Sequence, residues 1–307
     1  GGTFSSGGGD DTYTIKTGSS GDKIITTTDG DNKLLIDSSV SGTLTFNSGD
    51  GNDAVNIGSD FVGGFYSPYM EPTGGLKLYL GNGDNEINSE SRIWRLDTGD
   101  GVDTLNLNEV AGVVTTGDGD DSITITGQIS YDHYYHGWHA NAGLTDHHQG
   151  GLFAGSGDDV INLSGGSGKS GREHSGSPRS EGGQVHGDDG DDTITLSGQF
   201  SYGMIFGGIG NDVINASNAS TIERIYGGSG DDIVYGTESD DWIEGGEGND
   251  TIDAGNGNNE LYGGEMPLNY DREEVLGNDI ILSGTGNDRI YGGYGNDQIT
   301  TTGGDNQ

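Results

Sequence analysis

The stretch Gly99-Asp100-Gly101-Val102-Asp103-Thr104-Leu105-Asn106-Leu107 decides the fold, because it joins a glycine-rich turn to a short alternating strand. Glycine readily adopts the positive φ angles that a tight turn requires. In the second half of the stretch, Leu105 and Leu107 alternate with polar residues, which is typical of a strand that buries one face. The stretch therefore predicts a tight turn followed by a half-buried strand.

The same succession of turn and strand is repeated along nearly the whole chain. Further copies of the glycine turn begin at Gly49, Gly117, Gly155, Gly208, Gly228, Gly246, Gly284 and Gly293. Alternating apolar residues follow several of them, at Val55, Ile57, Ile123, Ile125, Ile161, Leu163, Ile194 and Leu196. Because one such unit is too small to bury its apolar face alone, the repetition predicts a solenoid whose stacked strands share a thin core.

These repeats resemble the RTX nonapeptide repeat, Gly-Gly-x-Gly-x-Asp-x-apolar-x, as in Gly228-Ser229-Gly230-Asp231-Asp232. The resemblance implies an all-β fold, a right-handed parallel β-helix or β-roll solenoid with multiple structural calcium ions in its stacked turns. Aspartate carboxylates are among the hard oxygen ligands that calcium prefers. The candidate metal ligands are Asp50, Asp53, Asp100, Asp103, Asp118, Asp121, Asp159, Asp188, Asp192, Asp212, Asp232, Asp241, Asp250, Asp288 and Asp297.

The charge of the chain also calls for bound cations. The 307 residues include 50 acidic and 12 basic ones, which gives a formal net charge of -38 at pH 7. Such an acid excess repels nucleic acid, and the absence of cysteine excludes disulfides and zinc-thiolate sites. No apolar stretch reaches the roughly 18–20 residues that cross a bilayer. Weak calcium sites fill outside the cell, so we expect an extracellular monomer that neither binds nucleic acid nor spans a membrane.

The repeat spacing indicates one solenoid domain, residues 1–307, with two different parts. In residues 1–225, one edge of the β-helix carries the calcium turns, and the opposite edge carries three inserts, 61–75, 127–151 and 165–183. Residues 226–307 are predicted to form a regular RTX β-roll with calcium turns at both edges. Insertions at one position of a repeat emerge on one side of a solenoid, and that side often binds a ligand.

One wall of the predicted solenoid combines cationic and aromatic side chains. The strands before the turns alternate, so every second residue points outward. Together with Trp138 of the central insert, the predicted substrate-binding residues are Lys77, Tyr79, Arg95, Gln184, Arg224 and Tyr226. A groove lined by such residues suits an extended acidic polysaccharide.

The central insert supplies candidate catalytic groups, because all seven histidines lie between residues 133 and 186. The layout is similar to that of right-handed β-helix polysaccharide lyases, and this resemblance implies β-elimination from a uronate polymer. A Tyr or His would remove the C5 proton once an Arg or one catalytic divalent cation neutralises the uronate carboxylate. The candidate catalytic residues are Tyr131, Tyr134, His136, Lys169, Arg172 and His186.

The same residues allow other interpretations. The aromatic residues of the insert could form an apolar plug over an open flank of the core, and its histidines could ligate a transition metal. Glycoside hydrolysis by paired carboxylates is a lesser enzymatic hypothesis. The main alternative to a lyase is a non-catalytic module for calcium-dependent folding, secretion or carbohydrate adhesion, the role that the RTX resemblance implies most often.

Overall fold

The computed structural model describes residues 2–37, 40–59, 75–132, 151–165, 167–170, 183–264 and 277–307. These residues form 24 strands and no helix, so none of them belongs to a helix that could span a membrane. Four residues singled out from the sequence, Tyr134, His136, Trp138 and Arg172, lie outside the described residues. The strands are β1 (Gly2–Ser5), β2 (Thr12–Ile15), β3 (Lys23–Thr26), β4 (Lys33–Ile36), β5 (Thr43–Asn47), β6 (Ala54–Ile57), β7 (Gly75–Tyr79), β8 (Glu86–Asp97), β9 (Thr104–Thr115), β10 (Ser122–Ile125), β11 (Ile129–Asp132), β12 (Gly151–Ser156), β13 (Val160–Leu163), β14 (Ser167–Ser170), β15 (Gln184–Asp189), β16 (Thr193–Ile209), β17 (Val213–Ser229), β18 (Ile233–Tyr235), β19 (Trp242–Glu247), β20 (Thr251–Asp253), β21 (Glu260–Tyr262), β22 (Ile280–Leu282), β23 (Arg289–Tyr291) and β24 (Gln298–Thr300).

The strands stack as a parallel β-helix, which confirms the predicted fold class. Each strand pairs in parallel with a strand one coil away, so that Leu44 lies beside Leu76 and Val55 lies beside Ile87. Two sheets result, one on each side of the core. The polar face comprises β2, β4, β6, β10, β13, β18, β20, β22, β24 and the first halves of β8, β9, β16 and β17. The aromatic face comprises β1, β3, β5, β7, β12, β15, β19, β21, β23 and the second halves of β8, β9, β16 and β17.

The glycine turns join the aromatic face to the polar face along one edge, here called the turn edge. Gly101 and Gly119 have φ angles of 143° and 139° there, in the region that L side chains rarely adopt. A Cβ atom added to Gly119 would also clash with the carbonyl oxygen of Gly101 in the neighbouring coil. The repeated glycines are therefore required both by the turn and by the close stacking of successive turns.

The core is a thin apolar column between the two faces. Phe46, Leu78 and Leu96 fill it from the aromatic face, and Val55 and Leu105 fill it from the polar face, each with 0% exposure. The alternation of the strands therefore predicted the inward positions correctly. One row of outward residues on the polar face is small and polar and lies in register at Asn56, Asn88, Asn106, Thr124, Asn162, Thr195 and Asn215.

The opposite edge is called the loop edge, and the described strands that flank or belong to the three predicted inserts meet there. One insert follows β6 and precedes β7, and the other two contain β11 and β14, which pair with each other. A further interruption, residues 265–276, falls between Gly264 and Gly277 and therefore interrupts the turn edge. An interruption at the turn edge was not predicted from the sequence.

Candidate calcium sites and the aromatic face

One residue of each turn points into the turn edge, and together these residues form a hydrogen-bonded column, the inner column. Its members are Asp11, Asn32, Asp53, Asn85, Asp103, Asp121, Asp159, Asp192, Asp212, Asp232, Asp250, Asp279 and Asp297. The backbone N–H of each member donates to Oδ1 of the next member; the Asp192 nitrogen, for example, lies 2.9 Å from Asp212 Oδ1. One carboxylate oxygen of each aspartate thus ties two coils together.

The second carboxylate oxygen is buried and has no hydrogen-bond partner. Among the described residues this holds for Oδ2 of Asp53, Asp103, Asp121, Asp159, Asp192, Asp212, Asp232, Asp250, Asp279 and Asp288. A buried acceptor left without a donor costs about 1–3 kcal/mol, and more when it is charged. A buried charge persists only when it is paired or binds a metal ion.

A backbone carbonyl oxygen of the next coil lies beside each of several orphaned carboxylate oxygens. Gly207 lacks a side chain there, and an added Cβ atom would lie less than 3.0 Å from both Asp212 Oδ2 and the Gly227 carbonyl oxygen. The same pairing of a carboxylate with a carbonyl recurs at Gly187, Gly227, Gly245 and Gly263. Two acceptors with no hydrogen between them need a cation, and Ca²⁺ takes carboxylate and carbonyl oxygens at about 2.3–2.6 Å. The residues fit calcium.

The pKa values of these carboxyl groups also show that their negative charge has no partner. Burial, with a smaller contribution from neighbouring aspartates, raises the pKa of Asp159 and Asp232 to about 8. Burial likewise raises the pKa of Asp192 to about 7 and that of Asp212 to about 6. Without a metal ion, a proton is the remaining way to neutralise these groups near neutral pH.

No three His, Asp or Glu side chains converge on one point in the described part of the chain. A calcium ion at the inner column would therefore take most of its ligands from backbone carbonyls, which glycine turns leave accessible.

Six of the predicted metal ligands lie outside the inner column, and four of these six lie elsewhere along the turn edge. Asp50, Asp100 and Asp118 are exposed at the tips of the turns, where Asp50 Oδ1 accepts a hydrogen bond from the backbone nitrogen of Asn82 at 3.0 Å. Asp188 lies at the end of β15 and has a φ angle of 74°, the only positive φ among the described non-glycine residues. Their side chains support the turns and lie apart from the orphaned oxygens.

A shorter column of the same kind occupies the loop edge near the C-terminus. It consists of Asp241, Asn259, Asp288 and Asn306, joined in that order by bonds from backbone nitrogen to Oδ1. Asp241 differs from the other aspartates, because Thr237 donates to both of its carboxylate oxygens, at 2.7 Å from the backbone nitrogen and 2.9 Å from the hydroxyl. The predicted ligands Asp241 and Asp288 thus belong to this second edge.

Sequence reasoning missed six members of the two columns, namely Asp11, Asn32, Asn85, Asn259, Asp279 and Asn306. Asp279 follows the interruption at 265–276 and lacks a complete Gly-x-Gly turn; the signal that remained was Asn278-Asp279 before the buried Ile281. The asparagines were missed because only carboxylates were considered as candidate ligands.

On the aromatic face, seven rings stack along the axis of the helix and form the aromatic ladder. They belong to Phe153, His186, Phe206, Tyr226, Trp242, Tyr262 and Tyr291. Successive ring centroids are 4.4–5.4 Å apart. Trp242 lies two residues before Glu244, the register partner of Tyr226, yet its ring continues the ladder. Four of the six successive pairs are stacked with interplanar angles of 3–19°, whereas the Trp242 ring is tilted by 54° from Tyr226 and by 42° from Tyr262.

The predicted substrate-binding residues that the structure describes all lie on the aromatic face. Lys77 and Arg95 are register partners, and the Arg95 guanidinium lies 5.6 Å from the centroid of the Tyr79 ring. Arg224 lies 4.8 Å from the Trp242 centroid and donates to the Tyr226 hydroxyl at 3.2 Å. These residues therefore form a cationic and aromatic surface.

The two described candidates for acid–base chemistry besides His186 come from β11 and β14. The backbones of Tyr131 and Lys169 are register partners in neighbouring coils. His186 lies between the rings of Phe153 and Phe206, and its Nε2 is 3.1 Å from Gln184 Oε1. His186 is thus a member of the ladder, on β15, which pairs with β12 and β16.

Comparisons with known proteins agree with this geometry. The family described as RTX calcium-binding nonapeptide repeat (4 copies) matches residues 184–199, 204–219, 224–240, 235–265 and 275–307. The chain is also similar to a solved structure, "X-ray crystal structure of a hyperactive, Ca2+-dependent, beta-helical antifreeze protein from an Antarctic bacterium". The TM-score is 0.55 at 19% identity, covering 98% of this chain and 82% of that one. At this identity the likeness shows the fold alone. No curated protein matches the chain significantly.

The matched repeats begin where the turns acquire their complete glycine pattern, at Gly187. From there on, the spaces beside the orphaned carboxylates are left open by glycine. Residues 184–307 are therefore built from RTX calcium-binding nonapeptide repeats, and the protein is a parallel β-helix that binds multiple structural calcium ions.

Proposed function

We propose that the protein is a non-catalytic, calcium-dependent RTX module, exported from the cell, that folds when it meets extracellular calcium. It then acts as a rigid rod that presents its aromatic face to a partner. The aspartates of the inner column, with Asp288 at the loop edge, are the calcium ligands in this proposal. In this proposal residues 1–307 are one solenoid domain, which is supported by the hydrogen bonds that join successive members of the inner column from Asp11 to Asp297.

The observation that carries the proposal is the set of orphaned carboxylate oxygens. They occur at one per coil over most of the length of the helix. A cytosolic protein would have to fold around this uncompensated charge at very low free calcium, whereas calcium modules of the extracellular space bind at about 10⁻⁴–10⁻³ M. The charge of -38 keeps the metal-free chain expanded and soluble until calcium is supplied.

Calcium titration of the metal-free protein at pH 8 tests this function. We expect a cooperative gain of strand signal in circular dichroism between about 10⁻⁴ and 10⁻³ M calcium, because ion binding and folding are coupled. Magnesium serves as the control, since it dehydrates reluctantly and demands a tighter octahedral geometry. An unchanged spectrum across the calcium titration would contradict the proposal.

A second candidate function is uronate lyase activity on an acidic polysaccharide. The pairing of Tyr131 with Lys169 favours it, because a phenol and an amine on adjacent coils are the base and acid that β-elimination needs. Arg95 or Arg224 would neutralise the uronate carboxylate in that reaction. Tyr134, His136, Trp138 and Arg172 remain candidates within the central insert and its neighbour.

Incubation with alginate, pectate and glucuronan in millimolar calcium separates the two functions. An unsaturated product absorbs in the ultraviolet, so its appearance would establish the lyase and reject the non-catalytic module. Binding on a glycan array without product would support a carbohydrate-adhesive module. The variant Tyr131→Phe, with Tyr13→Phe near the N-terminus as a control, identifies the base if a product appears.

A further inference from the structure

Three asparagines in the two columns place a side-chain amide nitrogen where the aspartates have the carboxylate oxygen without a hydrogen-bond partner. This nitrogen donates hydrogen bonds to backbone carbonyl oxygens. Asn85 Oδ1 accepts the hydrogen bond from the Asp53 nitrogen at 2.9 Å, so its Nδ2 occupies the position of an orphaned Oδ2. This Nδ2 donates to the carbonyl oxygens of Gly83 at 2.7 Å and Thr98 at 2.9 Å. The amide thus links a carbonyl of its own turn to a carbonyl of the next coil.

Asn32 and Asn259 repeat this arrangement. Asn32 Nδ2 donates to the carbonyls of Gly30 at 2.6 Å and Ser48 at 3.1 Å. Asn259 Nδ2, at the loop edge, donates to the carbonyls of Gly257 at 3.5 Å and Ser283 at 3.2 Å. In every case one acceptor lies two residues before the asparagine and the other lies five residues before the next column member.

Beside an aspartate, the carboxylate oxygen Oδ2 takes the place of the asparagine Nδ2. One hydrogen-bond acceptor, Oδ2, therefore faces another, a backbone carbonyl oxygen. Five residues before Asp250, the next column member after Asp232, stands Gly245. The point at which a Cβ of Gly227 would lie is less than 3.0 Å from both Asp232 Oδ2 and the Gly245 carbonyl oxygen. A cation there would hold together the groups that an asparagine amide holds together elsewhere.

A second observation concerns the residue five positions before each column member. Five residues before Asp192, Asp212, Asp232, Asp250 and Asp297, the chain has glycine, which leaves open space beside the carboxylate. Five residues before Asn32, Asn85 and Asn259 it has Thr27, Leu80 and Ala254, all buried. Coils with an amide thus lack the open space that glycine leaves beside the later aspartates. The coils of Asp53, Asp103, Asp121 and Asp159 also have a side chain at this place, at Ser48, Thr98, Thr116 and Ala154.

We propose that Asn32, Asn85 and Asn259 are built-in substitutes for calcium, so that the choice of Asp or Asn at each column position sets which coils bind an ion. This inference rests on the proposed calcium-dependent folding and specifies where the ions act. The amide needs no ion and carries no charge, so coils that contain it keep their inter-coil link when calcium is withdrawn. The calcium-dependent coils are then concentrated in residues 159–297.

Exchange of the two residue types tests the proposal on the full chain. We expect Asp232→Asn to bind one calcium ion fewer than the wild type in equilibrium dialysis while remaining folded. Asn259→Asp should bind one more, since Ala254 is no larger than Ala154, which precedes Asp159 at the same spacing. The matched controls are Asp231→Asn and Asn258→Asp, which change the same charge at the adjacent, exposed turn positions and should leave the ion count unchanged.

Hydrogen–deuterium exchange in chelator at pH 8 provides a second, local measurement. Amides of residues 230–246 should become protected in Asp232→Asn relative to the wild type, because Nδ2 replaces the missing ion. An unchanged ion count in either column variant, or a column variant that no longer folds in millimolar calcium, overturns the inference. A wild type that binds no calcium would instead overturn the proposed function.

Discussion

Removal of calcium should unfold this protein at alkaline pH but much less at mildly acidic pH. The described part of the chain has ten orphaned carboxylate oxygens. Each costs about 1–3 kcal/mol when it is left without a partner, and the whole stability of a domain is about 5–15 kcal/mol. A few such sites, ionised and without calcium, are therefore enough to cancel the stability of the fold.

The pH dependence follows from the raised pKa values. Burial raises the pKa of seven inner-column carboxyl groups from 3.8 to between about 6, as for Asp212, and about 8, as for Asp232. Between about pH 4 and pH 8 the folded metal-free chain thus binds more protons than the unfolded chain. The free energy of unfolding then falls as the pH rises through this window. We expect the metal-free chain to keep its strands at pH 5 and to lose them by pH 8.5.

Far-ultraviolet circular dichroism and small-angle X-ray scattering of desalted, metal-free protein would measure this transition. Calcium added at pH 8.5 should restore the strand signal and the compact radius. Sodium chloride at about 0.5 M serves as a control, because it screens repulsion between surface carboxylates and has little effect on buried groups. Equal strand content at pH 5 and pH 8.5 without metal, or full recovery with salt alone, would refute the reasoning.

Three further changes probe single features of the molecule. Phe206→Ala removes a ring stacked 4.4 Å from His186 and 4.8 Å from Tyr226, and should lower the free energy of unfolding in calcium by about 2–4 kcal/mol, measured with denaturant; no change would show that the ladder does not stabilise the coils. Gly207→Val fills the space beside Asp212 Oδ2 and should cost one calcium ion, or about 2.7 kcal/mol when calcium is at 100 times Kd; Gly7→Ala, with no atom within 4 Å, is the neutral control. Arg224→Gln should weaken binding of an acidic polysaccharide several-fold at low salt, whereas Lys16→Gln, away from the aromatic face, should not; equal losses would indicate non-specific charge attraction.

The sequence was sufficient for the features that depend on neighbouring residues. The alternation of Leu105 and Leu107 predicted which side chains are buried, and the glycines of each turn predicted its positive φ angles, because both properties arise within a few residues. The RTX resemblance likewise predicted the parallel β-helix and its calcium ions correctly. The lyase assignment stays a proposal.

Contacts between coils could not be predicted in this way. Asp121 and Asp159 are adjacent in the inner column although 38 residues separate them, and only the register of the stacked strands brings the Asp121 nitrogen to Asp159 Oδ1. Trp242 also belongs to the aromatic ladder although Glu244 is the register partner of Tyr226, so its place follows from side-chain packing between coils. The local sequence thus determined what each turn and strand is, whereas the orphaned carboxylates and the asparagine amides acquired their roles only when stacking excluded water and placed them against carbonyls of another coil.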